Sequence, residues 1–233
     1  MRLNQSIQTL STGILAFVLS SCAGLSGPAQ PLSTGILTAD PARAKQIIEV
    51  TPVNNTFKAR LSAWSYDQGF WHKIFGPWPV VIGRNGFAMP NNKKEGDGKT
   101  PSGIYPVSLA FGKDPVLKTG LAYRQATVHD VWVDDPASAQ YNQWVSGKPQ
   151  ASSFETMRRP DGIYDIGAVI EYNTSPVIPG KGSAIFMHIW REHGQKPTAG
   201  CVALNSRNLR HLLAWLNAGK LPVIILDPVK LQP

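Results

Sequence analysis

Residues Gly182–Trp190 alternate in period two and carry an imidazole near their end. Ala184, Phe186, His188 and Trp190 fall on one side, and Ile185, Met187 and Ile189 on the other. That pattern demands a buried extended strand, so the rest of the chain has to supply a sheet around it. Gly194 and Pro197 then break the alternation, and residues 191–199 read as a loop that turns the chain back. The loop delivers Thr198-Ala-Gly-Cys-Val-Ala-Leu204, with Cys201 the only thiol after residue 22. A histidine and a cysteine joined by a turn are the minimum parts of a thiol nucleophile and its base. Spacing alone leaves a second reading open, a buried and chemically inert pair.

The segments on either side also read as strands. Gln46–Thr51, Phe57–Tyr66, Trp71–Phe75, Trp78–Ile82, Ile104–Val107, Thr127–Val133, Gly167–Tyr172 and Leu221–Leu226 all have strand character, and Asp67-Gln-Gly69 is a hairpin turn. His129 is expected as a strand residue, and residues 137–160 as polar and irregular. One helix is predicted after the Asn205-Ser206 cap, with Leu209, Leu212, Leu213 and Leu216 on one face and Gly219 as its stop. Many short strands with one or two helices imply a mainly β domain, a sandwich or a partly closed barrel.

The glycines around residues 83–103 miss both phosphate-loop spacings, and Pro101 blocks the helix start that Gly98-Lys-Thr100 would need, so they read as structural turns. Asp134-Asp-Pro136 reads as a capped turn rather than a metal or glycosidase site, and no metal or cofactor is expected. A net charge of +8 favours anionic partners. No zinc-finger spacing, basic helix or aromatic RNA-binding signature accompanies it, which argues against nucleic acid.

Arg2, the apolar run Gly13–Leu19 and Leu19-Ser-Ser-Cys22 resemble the signal peptide and lipobox of bacterial lipoproteins. The resemblance implies a signal peptide over 1–21, lipid on Cys22, and a Gly/Pro/Ser-rich tether over 22–45. A catalytic domain is then expected over 46–233. The implied place is the periplasm, with Ala23 favouring the outer over the inner membrane. A lipidated Cys22 leaves Cys201 unpaired.

Three histidines compete as base for Cys201. His188 stands on a strand, His193 in mid-loop, and His211 on the outward side of the helix, so rigid placement favours His188. It would take the thiol proton to give a thiolate–imidazolium pair, and the backbone N–H groups of Gly200 and Ala199 would form an oxyanion hole.

Met187-His188 with Thr198-x-Gly-Cys-Val202 resembles the active-site signature of the L,D-transpeptidase (YkuD-type) catalytic domain. Glu95-Gly-Asp-Gly-Lys-Thr-Pro-x-Gly-x-Tyr-Pro106, Asp134-Asp-Pro-x-Ser-x-x-Tyr-Asn142 and Gly180–Phe186 extend the similarity over roughly 46–227. The resemblance implies that Cys201 attacks peptidoglycan tetrapeptide stems, expels D-Ala and passes a thioester to an amine, forming 3–3 cross-links. With water as acceptor the same site is an L,D-carboxypeptidase or endopeptidase. A third reading is a non-catalytic wall-binding lipoprotein. Trp190, Thr198, Lys99 and Tyr172 are candidate substrate contacts, and a monomer is expected. Most members carry histidine at the position of Ala199 and arginine at that of Ala203.

Overall fold

The computed structural model describes residues 43–54 and 56–226, so the expected signal peptide, Cys22 and the tether up to residue 42 lie outside the described residues. Strand β1 (Gln46–Pro52) pairs antiparallel with β2 (Lys58–Asp67). Gln68 and Gly69, both at positive φ, turn β2 into β3 (Phe70–Val81). Two strands are expected where β3 runs unbroken. Gly76 explains the difference, because it absorbs a register irregularity by lying against β2, where a Cβ would meet Leu61 O at 2.3 Å.

The chain continues through β4 (Gly103–Gly112), β5 (Ala122–Gln125), β6 (Asp130–Val133), β7 (Trp144–Ser146) and β8 (Phe154–Thr156). Then follow β9 (Ile166–Ile170), β10 (Phe186–Ile189), β11 (Val202–Leu204), helix α1 (Ser206–Trp215) and β12 (Val223–Leu226). The main sheet runs β12-β1-β2-β3-β11-β10-β9-β4, and β4 pairs back onto β12 from Pro106↔Val223 to Gly103↔Leu226. It is therefore a closed eight-stranded barrel, with β5 attached beside β4. Closure leaves the ring without a free edge. Its thinnest seam is β3–β11, joined through the single pair Val81↔Ala203.

The interior is aliphatic: Ile48, Val50, Leu61, Ile82, Met187, Val202 and Ile224 point into it, and the leucines of α1 join the same cluster. Asn205 caps α1 by accepting from Asn208 N–H at 2.8 Å. The helix ends at Trp215, before the expected stop at Gly219. Leu216 is already extended, and Gly219 sits in a separate 3-10 turn (Ala218–Lys220).

Outside the barrel a second sheet, β7-β6-β8, covers one face. Its Trp132 and Trp144 meet Phe111 and Phe186 of the barrel edge to face. The expected strand over 127–133 shortens to β6, because the Asp130 carboxylate accepts from Thr127 N–H and Oγ1 and folds residues 127–129 into a turn. His129 is accordingly exposed in that turn and not in a strand. The segment expected to be irregular contributes β7 and β8, three residues each, too short for a period to register.

Candidate active site

Strands β10 and β11 lie side by side and parallel, Met187 opposite Val202 and His188 opposite Ala203. One step back along that register Cys201 meets Phe186, whose N–H donates to Sγ at 3.3 Å. Met187 and Val202 point into the barrel, which puts Phe186, His188, Cys201 and Ala203 on its outer face. His188 and Cys201 thus face the same way on adjacent strands, offset by two residues, and line one cavity of about 410 Å³. Among the described residues neither side chain hydrogen-bonds the other.

His188 is 5% exposed, whereas His193 and His211 are both exposed. Its Nδ1 lies 2.8 Å from Ile189 O. A carbonyl only accepts, so Nδ1 carries the proton and Nε2 keeps its lone pair, the tautomer a general base requires. Burial pulls the imidazole down to about 4, helped by the charges of Arg191 and Arg159 and opposed by the Ile189 carbonyl. Burial pushes the Cys201 thiol up to about 12, and the Glu155 carboxylate adds to it, while Phe186 N–H and Lys93 oppose. Both groups are therefore neutral at rest. Burial thus opposes the expected thiolate–imidazolium pair.

The thiol is held by a chain of contacts that starts far away in sequence. Cys201 Sγ donates to Ala184 O at 3.2 Å, and Ala184, at φ 53, donates its N–H to Asn142 Oδ1 at 3.0 Å. Asn142 also accepts from Trp132 Nε1 and donates to the carbonyls of Tyr172 and Asn173. Beside it, Tyr141 OH accepts from Gly182 N–H and donates to Glu95, which also accepts from Ser183 Oγ. Trp132 of β6 and the loop that follows it thereby fix the segment whose carbonyl accepts the thiol hydrogen bond.

The cysteine turn is anchored at the β3–β11 seam. Thr198 N–H donates to Ile82 O and Arg84 N–H to Thr198 O, while Thr198 Oγ1 donates to Cys201 O at 2.7 Å and accepts from Gly200 N–H at 3.1 Å. Beneath it, Thr100 Oγ1 donates to Gly200 O and accepts from Gly83 N–H. Gly200 is needed for this approach, since a Cβ there would sit 2.9 Å from Lys99 O. The glycine-rich turns thus support Cys201 from below and also bring Lys93 and Glu95 into the cavity wall.

Of the candidate substrate contacts, Thr198 lines this cavity, as do Ala199 and Gly200. Trp190, Lys99 and Tyr172 do not. Trp190 packs on Gly194, Lys99 offers its backbone carbonyl to the underside of Gly200, and Tyr172 lines a separate cavity. Tyr164 was not legible in sequence as a site residue. It is buried with its ring edge-on to His188 at 5.2 Å, and its hydroxyl donates to Glu155 at 2.5 Å. At the mouth, Asp161 accepts from both Arg159 and Arg191 at 2.9 Å, which holds its carboxyl below the ordinary range despite burial.

Searches of curated proteins and of solved structures return no match. A model of the L,D-transpeptidase catalytic domain (YkuD) matches residues 57–225, from the head of β2 into β12 and through both strands at the cavity. With most of its length inside that match, the chain belongs to the L,D-transpeptidase catalytic-domain family, enzymes of the peptidoglycan wall.

Proposed function

We propose that the chain is a cysteine-dependent L,D-transpeptidase of peptidoglycan tetrapeptide stems, with Cys201 as nucleophile and His188 as general base. The observation that carries the reading is the shared outward face of β10 and β11, with His188 Nε2 left as a free acceptor by the Nδ1–Ile189 bond. Because thiol and imidazole are both neutral at rest, proton transfer accompanies attack instead of preceding it. Sγ bonds to the carbonyl carbon of the stem's third residue as its proton passes to His188 Nε2. The C–N bond to D-Ala then breaks, and the imidazolium returns that proton to the leaving amine. An acceptor amine next attacks the thioester and loses its proton to His188. The new amide forms, the S–C bond breaks, and Sγ regains a proton.

The Ala199 N–H has no hydrogen-bond partner among the described residues and is the donor ready for the oxyanion. That of Gly200 already serves Thr198 Oγ1 and would have to turn from it. Lipid on Cys22 would hold the domain at a membrane of the periplasm, the outer one being favoured by Ala23.

Intact-mass analysis with purified tetrapeptide tests the reading: a thioester on Cys201 with loss of D-Ala is expected, followed by exchange with an added D-amino acid. Hydrolysis without exchange would assign water as the acceptor and make the enzyme an L,D-carboxypeptidase. Absence of any adduct, with a carbapenem as well as with tetrapeptide, would leave only a wall-binding role.

A further inference from the structure

A second cavity of about 540 Å³ adjoins the first, and Lys93 lines both. We infer that it holds a sugar ring of the glycan strand from which the substrate stem hangs. The inference rests on the stem-peptide reading of the Cys201 cavity and extends it from the peptide to its carrier.

Position supports this first. Lys181 lines the second cavity, Ser183 and Ala184 line the first, and Ala184 O accepts a hydrogen bond from the Cys201 thiol. The three residues from Lys181 to Ala184 span at most about 10 Å, and less than that because Gly182 and Ala184 stand at positive φ. A stem whose third residue is attacked at Sγ has the same three residues between its reacting carbonyl and the sugar, so its reach is also about 10 Å. One cavity can hold the reacting end while the other holds the carrier.

The lining supplies the chemistry. Where the Cys201 cavity is ringed by charges such as Arg159, Arg191 and Glu155, the second has only Lys93, Glu171 and Lys181 as charged lining and is walled by Tyr105, Tyr172, Pro106 and Pro176, with amide and hydroxyl groups from Asn91 and Ser102. Flat apolar faces with hydrogen-bonding edges complement a neutral pyranose ring, which has apolar faces and a rim of hydroxyls. The tyrosines are set in advance. They meet edge to face at 5.3 Å, Tyr105 OH donates to Ser102 O, and Tyr172 OH donates to Lys181 O. Lys93 carries no spare charge to attract an anion, since Nζ is bonded to Asp97 and to Lys94 O.

Two further observations point to an occupant. Ser102 lines the cavity and is only 8% exposed, and its buried Oγ has no hydrogen-bond partner in the protein. A buried hydroxyl left unpaired costs about 1–3 kcal/mol, and a ligand hydroxyl would recover it. Met89 and Ile178 also line the cavity and are each at least half exposed, an apolar lip where large hydrophobic side chains would otherwise be covered.

The test is binding to full-length Cys201→Ala, which needs no turnover. Isothermal titration compares the free tetrapeptide with the same peptide on its N-acetylglucosaminyl–N-acetylmuramoyl disaccharide. The disaccharide form is expected to bind about tenfold more tightly. Ser102→Ala, which removes no hydrogen bond of the fold, and Ile178→Ser should each shrink that gap to about threefold or less and leave the tetrapeptide affinity unchanged. Equal affinities, or a gap that neither substitution alters, would overturn the inference. If wild type forms a thioester with tetrapeptide but shows no gap, the glycan subsite falls and the proposed reaction stands. If the gap is present but no thioester forms, the reaction falls and the glycan site remains.

Discussion

The barrel interior and the layer beneath the small sheet are packed on opposite terms. Inside, Ile48, Leu61, Ile82, Met187, Leu204 and the α1 leucines form an aliphatic cluster. Outside, aromatic rings dominate, and Asp130, Asn142, His188 and Cys201 are buried among or beside them. Each of these four makes a hydrogen bond to a neighbour, whereas the buried Asp134 Oδ1 nearby has none. Asp130 accepts from Thr127, Arg124, Trp144 and Ser146, and these donors hold its carboxyl low although burial alone would raise it. Strand β10 belongs to both regions, with Met187 on one face and Phe186 and His188 on the other. The contrast teaches a division of labour: the closed aliphatic barrel fixes where residues 188 and 201 stand, and the outer layer decides their proton states. Chemistry is confined to the side that a polar network can reach.

Substituting one residue on each side is the strongest way to break that division. Cys201→Ala should lower kcat/KM by about 10⁴-fold or more, because no other thiol lines the cavity, yet shift stability by only about 1 kcal/mol. Met187→Ala, one residue from the His188 imidazole in sequence, should behave in reverse. It opens a fully buried site and costs about 2–5 kcal/mol in urea unfolding, while the folded fraction keeps kcat/KM within about threefold. A Met187→Ala enzyme whose turnover collapsed at full folding would show the two faces to be one unit.

Much of this architecture can be read from residue order. Period two in 184–190 assigns the two faces of β10, and the leucine spacing of α1 assigns its buried side. The spaced His188 and Cys201 mark the pair proposed to react because a rigid strand and a turn leave distinct patterns. The long-range work does not show. Asn142 sits in a stretch with no period, and nothing local says that its amide bridges Trp132, Ala184 and residues 172–173. Tyr164 and Glu155 meet only through tertiary packing. Closure of the barrel is equally silent, since it depends on β12 finding both β1 and β4. The neutral resting state was hidden for the same reason: spacing reports proximity, whereas burial sets the pKa values.

Acid titration sharpens the contrast next. The His188 pKa falls from 6.5 to about 4 on folding, so the unfolded chain takes up a proton first as pH drops. Stability contributed by keeping His188 neutral is complete above pH 6.5 and is lost between 6.5 and about 4, by roughly 3 kcal/mol over the window. Urea midpoints at pH 7, 5.5 and 4.5 should fall steeply for wild type and less for His188→Gln. The acid limb of kcat/KM should likewise lie near 4 and not near 6.5. Cys201 has the mirror behaviour: with its thiol raised to about 12, stability falls as pH climbs past 9.

The smallest effect concerns the hinge between the regions. Thr198 Oγ1 accepts from Gly200 N–H and donates to Cys201 O, pinching the turn that hands Cys201 from the barrel seam to the outer face. Thr198→Val keeps the shape and removes both bonds, at a cost of about 1 kcal/mol. Freed from Thr198, Gly200 N–H and the cysteine sample more orientations, so kcat should fall about fivefold to tenfold with little change in KM, the mark of a positioning group and not of a binding one. Thr198→Ser restores the hydroxyl and should restore kcat. If Thr198→Val instead raises kcat, the Gly200 N–H is needed for the oxyanion and Thr198 competes for it at rest. In that case the outer layer governs the reaction through a released backbone donor as well as through the proton states of its side chains.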